Sequence, residues 1–293
     1  MPWPQAVIRG LQSRAGEQLL LRIAGPQARR RRTRIHATPG PRWFRPGRPI
    51  RTVHADASMY VGGLAALLMQ SLHPVAMTAV WAHSGFRGDP WGRLQRTSAF
   101  LAVTTFGTDQ DAERAVLRVR GVHERIAGAT TDGTAYRASD PHLLAWVHTA
   151  ETECFLRAYQ LYGRRPLDRA GQDGYVADMA YVGRQLGVED PPEDREALAA
   201  RLEAFRTELG PTAESRATAR YLLSRPPLPR PLRIPYALLA AAASDLLPGW
   251  ARAQLDLPLT TRLLTPLAKQ GGRAVTAVIR WATPPLPSGV TGG

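Results

Sequence analysis

The residues able to do chemistry gather between Leu72 and Tyr162, around the segment Val119-Arg120-Gly121-Val122-His123. In a helical register Val116, Val119, His123 and Ile126 fall on one face, which places an imidazole on an otherwise apolar stripe. Two readings are open for such a ring: a boundary histidine satisfied by a backbone carbonyl, or a ligand to a metal or cofactor. Upstream, Arg93 and Thr97 stand one turn apart with Arg96 beside them, so a positive charge and a hydroxyl point one way. Downstream, His148 and Glu151 share a mostly apolar stripe with Leu144 and Phe155. A carboxylate that orients a histidine suits a proton-transfer role and equally suits an internally satisfied polar pair.

Several chemistries are excluded by residue count and spacing. Cys154 is the single cysteine, so neither an internal disulfide nor a zinc site built on two thiolates is possible. No glutamate precedes a histidine by three residues, which removes the carboxylate-bridged di-iron motif. His-Glu-x-x-His, a glycine-rich phosphate loop and Cys-x-x-Cys-His are all missing. Non-covalent haem b survives, because it requires one imidazole on an apolar face and arginines for its propionates. If His123 is that imidazole, Arg93, Arg96 and Arg120 are the candidate cationic partners.

The elements that must position these groups read as helices almost throughout, so the expected fold is all-α. Helices are expected over Ser58 to Leu72 with Ser58 as cap, Val75 to His83, Trp91 to Phe106, Asp109 to Ala127 and Asp140 to Tyr162, the last opened by an Asp-Pro start. Further helical periods cover Tyr175 to Leu186, Pro192 to Leu209, Thr212 to Leu223, Tyr236 to Leu247 and Leu259 to Trp281. Thr130 to Ser139 reads as a plain connection and Arg225 to Pro231 as a stiff proline-rich one. The chain carries 38 Lys and Arg against 24 Asp and Glu, yet Lys269 is its one lysine, an arginine bias of genomic rather than functional type.

Residues 1–50 form a basic Arg/Pro/Gly-rich arm with no acidic residue between Glu17 and Asp56, expected to be loosely ordered or draped over a single domain at 51–283, with a short helix around Leu11 to Ile23 and a flexible tail at 284–293. The arm lacks the aromatic interleaving of a nucleic-acid reader, so no specific nucleic-acid partner is expected. A cytoplasmic location is expected, with peripheral membrane contact open.

Leu72-His73-Pro74, Phe86-Arg87, Asp89-Pro90-Trp91-Gly92-Arg93-Leu94, Arg96-Thr97, Val119-Arg120 to His123 and Trp146-Val147-His148 together resemble the DUF2236 domain of the MpaB and latex clearing protein (rubber oxygenase) family. The match is densest over residues 55–165. The resemblance implies a globin-like multi-helix core with flanking helices, holding haem b on His123, and an oxygenase that acts with O2 on an apolar, unsaturated or isoprenoid substrate, its reductant unknown. It makes Arg93 and Thr97 the counterparts of a catalytic arginine and threonine, with His148 and Glu151 in supporting or proton-relay positions. Two departures stand out. Arg96 replaces a lysine able to ligate the distal face in rubber oxygenase, and an always-charged arginine is a poor iron ligand. The glutamate used there as a base has no counterpart, since this chain has no glutamate between Glu17 and Glu113, leaving Asp56, Asp89 and His83 as upstream candidates. The alternatives are a haem carrier or sensor without turnover, and a haem-free helical binding protein whose basic arm contacts membrane or nucleic acid.

Overall fold

A computed structural model describes Gln12 and residues 25–83, 89–224, 229–257 and 265–283. Within these the chain is all-α: α1 (Ala28–Ala37), α2 (Pro49–His54), α3 (Ser58–Gln70), α4 (Pro74–His83), α5 (Pro90–Phe106), α6 (Asp109–His123), a two-stranded hairpin β1 (Ala127–Ala129) and β2 (Ala135–Arg137), then α7 (Pro141–Tyr162), α8 (Arg169–Leu186), α9 (Arg195–Ala204), α10 (Ala213–Ser224), α11 (Arg233–Leu246), α12 (Gly249–Gln254) and α13 (Thr265–Ala282). Most of the helix expected over Leu11 to Ile23, the loop at 84–88, the run at 225–228, the start of the helix expected from Leu259 and the tail from Pro284 lie outside the described residues.

The core is built on α3 lying along α7, with α11 and α13 packed beside them. Gly62 sets that approach, since a Cβ there would come within 2.8 Å of the Phe155 ring and 3.1 Å of the Ala158 methyl. Around this contact Val61, Leu68, Met69, Leu72 and Trp146 are wholly enclosed. Trp146 donates its indole N–H to the Gln70 carbonyl at 3.1 Å, meeting the need of a buried polar edge at the end of α3.

Local signals account for most helix ends. Asp140 caps α7 by accepting from the His142 N–H at 2.8 Å, and Thr108 caps α6 through Asp111. Three expectations change. Ser58 is the first helical residue of α3 rather than its cap, and Asp56 accepts the Ser58 N–H instead. Helix α8 starts six residues before Tyr175, because Asp168 caps it across the Gly171 and Gly174 that make this segment read as loop. Helix α6 stops at His123, four residues short of Ala127, and the following segment pairs as a hairpin with Gly128 opposite Tyr136. A Cβ at Gly128 would sit 2.5 Å from the Tyr136 hydroxyl, and Gly133 makes the turn at φ +88°. The segment expected as a plain connection from Thr130 to Ser139 thus contains β2.

The described part of the arm is docked rather than loose, and arginine does the docking. Arg42 donates to the carbonyls of Ile35 and Thr38 at 2.9 Å each and to that of Phe106 at the end of α5. Arg48 meets the buried Asp178 carboxylate on α8, which also accepts the Ile50 N–H at 3.2 Å. Phe44 and Ile50 are buried beside them. Among the described residues no single helix is long and apolar enough to cross a membrane; α3 and α4 together reach that composition only across a 108° bend.

Asp56 ties the two ends of the domain together. Its carboxylate receives Arg280 of α13 at 2.9 and 3.0 Å, while the same guanidinium reaches the Tyr162 carbonyl at the end of α7. Burial raises the Asp56 pKa, but Arg280 and the Ser58 hydrogen bonds outweigh it and hold the carboxyl below its ordinary range. Replacing Arg280 by Ala should cost about 3 kcal/mol in urea unfolding at pH 7, because a buried carboxylate is left uncompensated. The depressed folded pKa makes this contribution full above the ordinary carboxylate range and lost as pH falls through the folded value, so the variant and the parent should converge in acid.

Candidate active site

Helices α5 and α6 form an antiparallel pair joined by Gly107 and Thr108. Arg93 lies about 20 Å back along α5 from Phe106, and His123 about 21 Å forward along α6 from Asp109, at 1.5 Å per residue. Each therefore sits near the end of its helix that is far from the Gly107–Thr108 link. His123 is partly buried, its Nδ1 is enclosed, and that nitrogen has no hydrogen-bond partner among the described residues. Burial lowers its pKa from the ordinary 6.5, so the ring is neutral with a lone pair available at pH 7. Among the described residues no carbonyl satisfies the enclosed nitrogen.

Arg93 is part-accessible and closely surrounded; burial, then the charge of Arg96, lowers its pKa. The other hairpin candidates lie outside. Thr97 and Arg120 are exposed, and exposed Arg96 pairs with Asp89 at 3.4 Å.

On α7 the two titratable groups have opposite environments. Protein atoms surround Glu151 closely, yet it keeps some accessible surface, as do Val147 and Leu144 one and two turns before it, both packed against the core. Burial pushes the Glu151 carboxyl up to about 7. His148 is buried against Gly183 of α8, where a Cβ would come within 2.9 Å of Cε1 and 3.0 Å of Nδ1. Burial first, then Arg184 and Arg201, lower its pKa to about 4, and its Nε2 has no partner. At neutral pH His148 is an uncharged base and Glu151 a carboxyl poised between its two forms.

One interior group is not among the residues expected from the sequence. His54, at the end of α2, places Nδ1 2.8 Å from the Thr105 hydroxyl and Nε2 3.3 Å from the Tyr175 hydroxyl, with its ring edge-on to Phe155 at 5.6 Å. Burial lowers its pKa to about 3. Glu151 belongs to the same cluster, since its charge is the second cause, after burial, that raises the pKa of Tyr175. Thr105 and Arg93 lie about 18 Å apart along α5, so Arg93 stands far along that helix from the His54–Tyr175–Glu151 cluster. The spacing of Ile50, Val53 and His54 on one helical face carries the signal that could have found His54. The three upstream candidates are engaged elsewhere: Asp56 with Arg280, Asp89 as cap to the Gly92 N–H at 2.7 Å, and His83 with the Tyr136 hydroxyl at 3.2 Å.

A family model described as the catalytic domain of ER-bound oxygenase mpaB/B'/Rubber oxygenase matches residues 51–281. Uncharacterized proteins of Mycobacterium bovis (Mb2261) and Mycobacterium tuberculosis (Rv2237) are each 33% identical to the chain over 114 residues, 37% of this chain and 43% of theirs. The match thus spans less than half the length of these relatives. No solved structure matches the chain.

Two variants test the interior. The folded pKa of Glu151 is raised, so the group's contribution is full below its ordinary 4.5 and lost as pH rises through about 7. Glu151→Gln should therefore match the parent in thermal stability at about pH 4 and exceed it by about 2 kcal/mol at about pH 8. Gly183→Ala should cost about 1–3 kcal/mol by forcing the His148 ring off α8, measured by denaturant unfolding.

Proposed function

The chain belongs to the MpaB/rubber-oxygenase catalytic-domain family, an oxygenase family, and on that premise we propose that it is a haem b-dependent oxygenase acting with O2 on an apolar, unsaturated substrate of isoprenoid type. The observation that carries the haem reading is the His123 ring at the end of α6, neutral and without a partner for its enclosed Nδ1 among the described residues. A ligand there would offset the cost of that enclosed nitrogen, on the order of 1–3 kcal/mol. Arg93, always charged, would hold a propionate or polarise bound substrate, with Arg96, Arg120 and Thr97 at the rim.

When bound, haem would supply the redox centre at which O2 is activated. The rest belongs to the chain. The partly accessible stripe of Leu144 and Val147 offers an apolar wall to a hydrocarbon, and excludes water from it. Glu151, with a pKa near neutrality, is suited to give or take a proton at its carboxyl oxygen, a function that rubber oxygenase gives to a glutamate lacking here. His54 would hold the Tyr175 and Thr105 hydroxyls in place beside it, and His148 would support the same helix from its far side. Oxidative cleavage of a carbon–carbon double bond would place both atoms of O2 in the products.

Adding haemin to the purified chain should produce a Soret band at one equivalent, of five-coordinate or water-ligated type since Arg96 is no ligand. His123→Ala should lose it, and Arg93→Ala should weaken haem retention. A normal Soret band in His123→Ala would overturn the ligand assignment. Haem binding without oxygen uptake on isoprenoid substrates would favour a carrier or sensor, and a protein that takes no haem would favour a haem-free binding role.

A further inference from the structure

Away from the α5–α6 hairpin, three side chains from distant parts of the chain converge: His73 in the turn between α3 and α4, His142 in the first turn of α7, and Glu208 just beyond the single turn of 3-10 helix at Phe205–Thr207. One ligand atom from each lies within 4.8 Å of the others. His142 Nε2 is 2.6 Å from Glu208 Oε2, whereas His73 Nε2 is 3.7 Å from the same oxygen. One carboxylate oxygen thus faces two imidazoles and hydrogen-bonds only one. His73 is 5% exposed, and its Nε2 is enclosed with no hydrogen-bond partner while aimed at the other two groups.

We propose that His73, His142 and Glu208 bind a divalent transition-metal ion, zinc by choice, that clamps the start of α7 to the α3–α4 turn. Two imidazole nitrogens and one carboxylate oxygen are the donors of a borderline ion, not of Ca2+ or Mg2+. A proton satisfies one of the two rings here; a cation accepts lone pairs from all three groups. Tetrahedral ligands at about 2.0–2.2 Å from zinc stand about 3.3–3.5 Å apart. The His142–Glu208 contact must therefore open slightly, which both exposed side chains can do, while buried His73 stays fixed. The surroundings hold the rings: Phe205 lies 4.9 Å from His142, Trp146 lies 6.2 Å from His73, and the Gly210 N–H bonds the Leu72 carbonyl at 2.9 Å to keep the Glu208 segment beside the turn.

Ligation through Nε2 puts the proton of His73 on Nδ1. The 3.4 Å approach of the Ala76 N–H to Nδ1 is the contact given up. The fourth position opens to solvent on the side of His142 and Glu208, which suits a water molecule and a stabilising rather than a catalytic ion.

The full chain, dialysed against EDTA and titrated with Zn2+ by calorimetry, should take up one equivalent with micromolar or tighter affinity and show a raised melting temperature. Co2+ in its place should give the visible d–d bands of a low-coordinate nitrogen and oxygen site. His142→Ala and Glu208→Gln, both at exposed side chains, should each weaken zinc binding by roughly tenfold or more and abolish the melting shift, while the response to haemin is unchanged. His123→Ala should keep zinc binding. No zinc uptake, or uptake undiminished in both His142→Ala and Glu208→Gln, or uptake lost in His123→Ala, would overturn the assignment.

Discussion

The approach of α3 to α7 at Gly62 is the constraint on which the remaining architecture depends. With no side chain at that position the Phe155 ring and the Ala158 methyl close directly on the α3 backbone. Any larger residue would push the helices apart by the width of a methyl group or more, and a close-packed interior has little room to absorb that. The consequence reaches the proposed site through Phe155, whose ring meets His54 edge-on one turn after Glu151. A packing contact between two core helices thereby fixes where the interior polar groups stand.

Charge is handled in two distinct ways. The interior histidines are held neutral by burial, with His54 at about 3 and His148 at about 4, and Glu151 is pushed towards neutrality from the other side. Arginine, which cannot shed its proton, is used at the margins: Arg42 gathers carbonyls, Arg48 meets Asp178, and Arg280 meets Asp56. These three arginines are spent as internal ties, whereas Arg30, Arg31 and Arg34 of α1 stand exposed. The interior is thereby left weakly charged.

How much of this could be read from residues alone varied with the range of the signal. The all-α class, the Asp-Pro start of α7 and the helix carrying Arg93 follow from capping and periodicity, which act over a few residues. The end of α6 did not, because Ile126 continues the apolar spacing of Val116 and Val119 while a cross-strand pairing with the segment at Tyr136 takes over the backbone. His54 was missed for a related reason: its partners Thr105 and Tyr175 are 51 and 121 residues away in sequence. His73 and His142 were each visible as residues, but nothing local joins either to Glu208. Spacing placed Arg93 and Thr97 on one face, while the folded chain part-buries the first and exposes the second.

The docking of the arm carries a consequence for what counts as a unit of this protein. The family match begins at residue 51, yet Phe44 and Ile50 are seated in the same core, Arg48 pairs with the buried Asp178, and Arg42 reaches across to the last turn of α5. Homology and cooperative folding therefore have different boundaries here. The shared ancestral segment depends for its closure on residues that lie before the family match, so divergence in that preceding stretch is a means by which a relative can alter the stability of the common domain without changing any residue inside it.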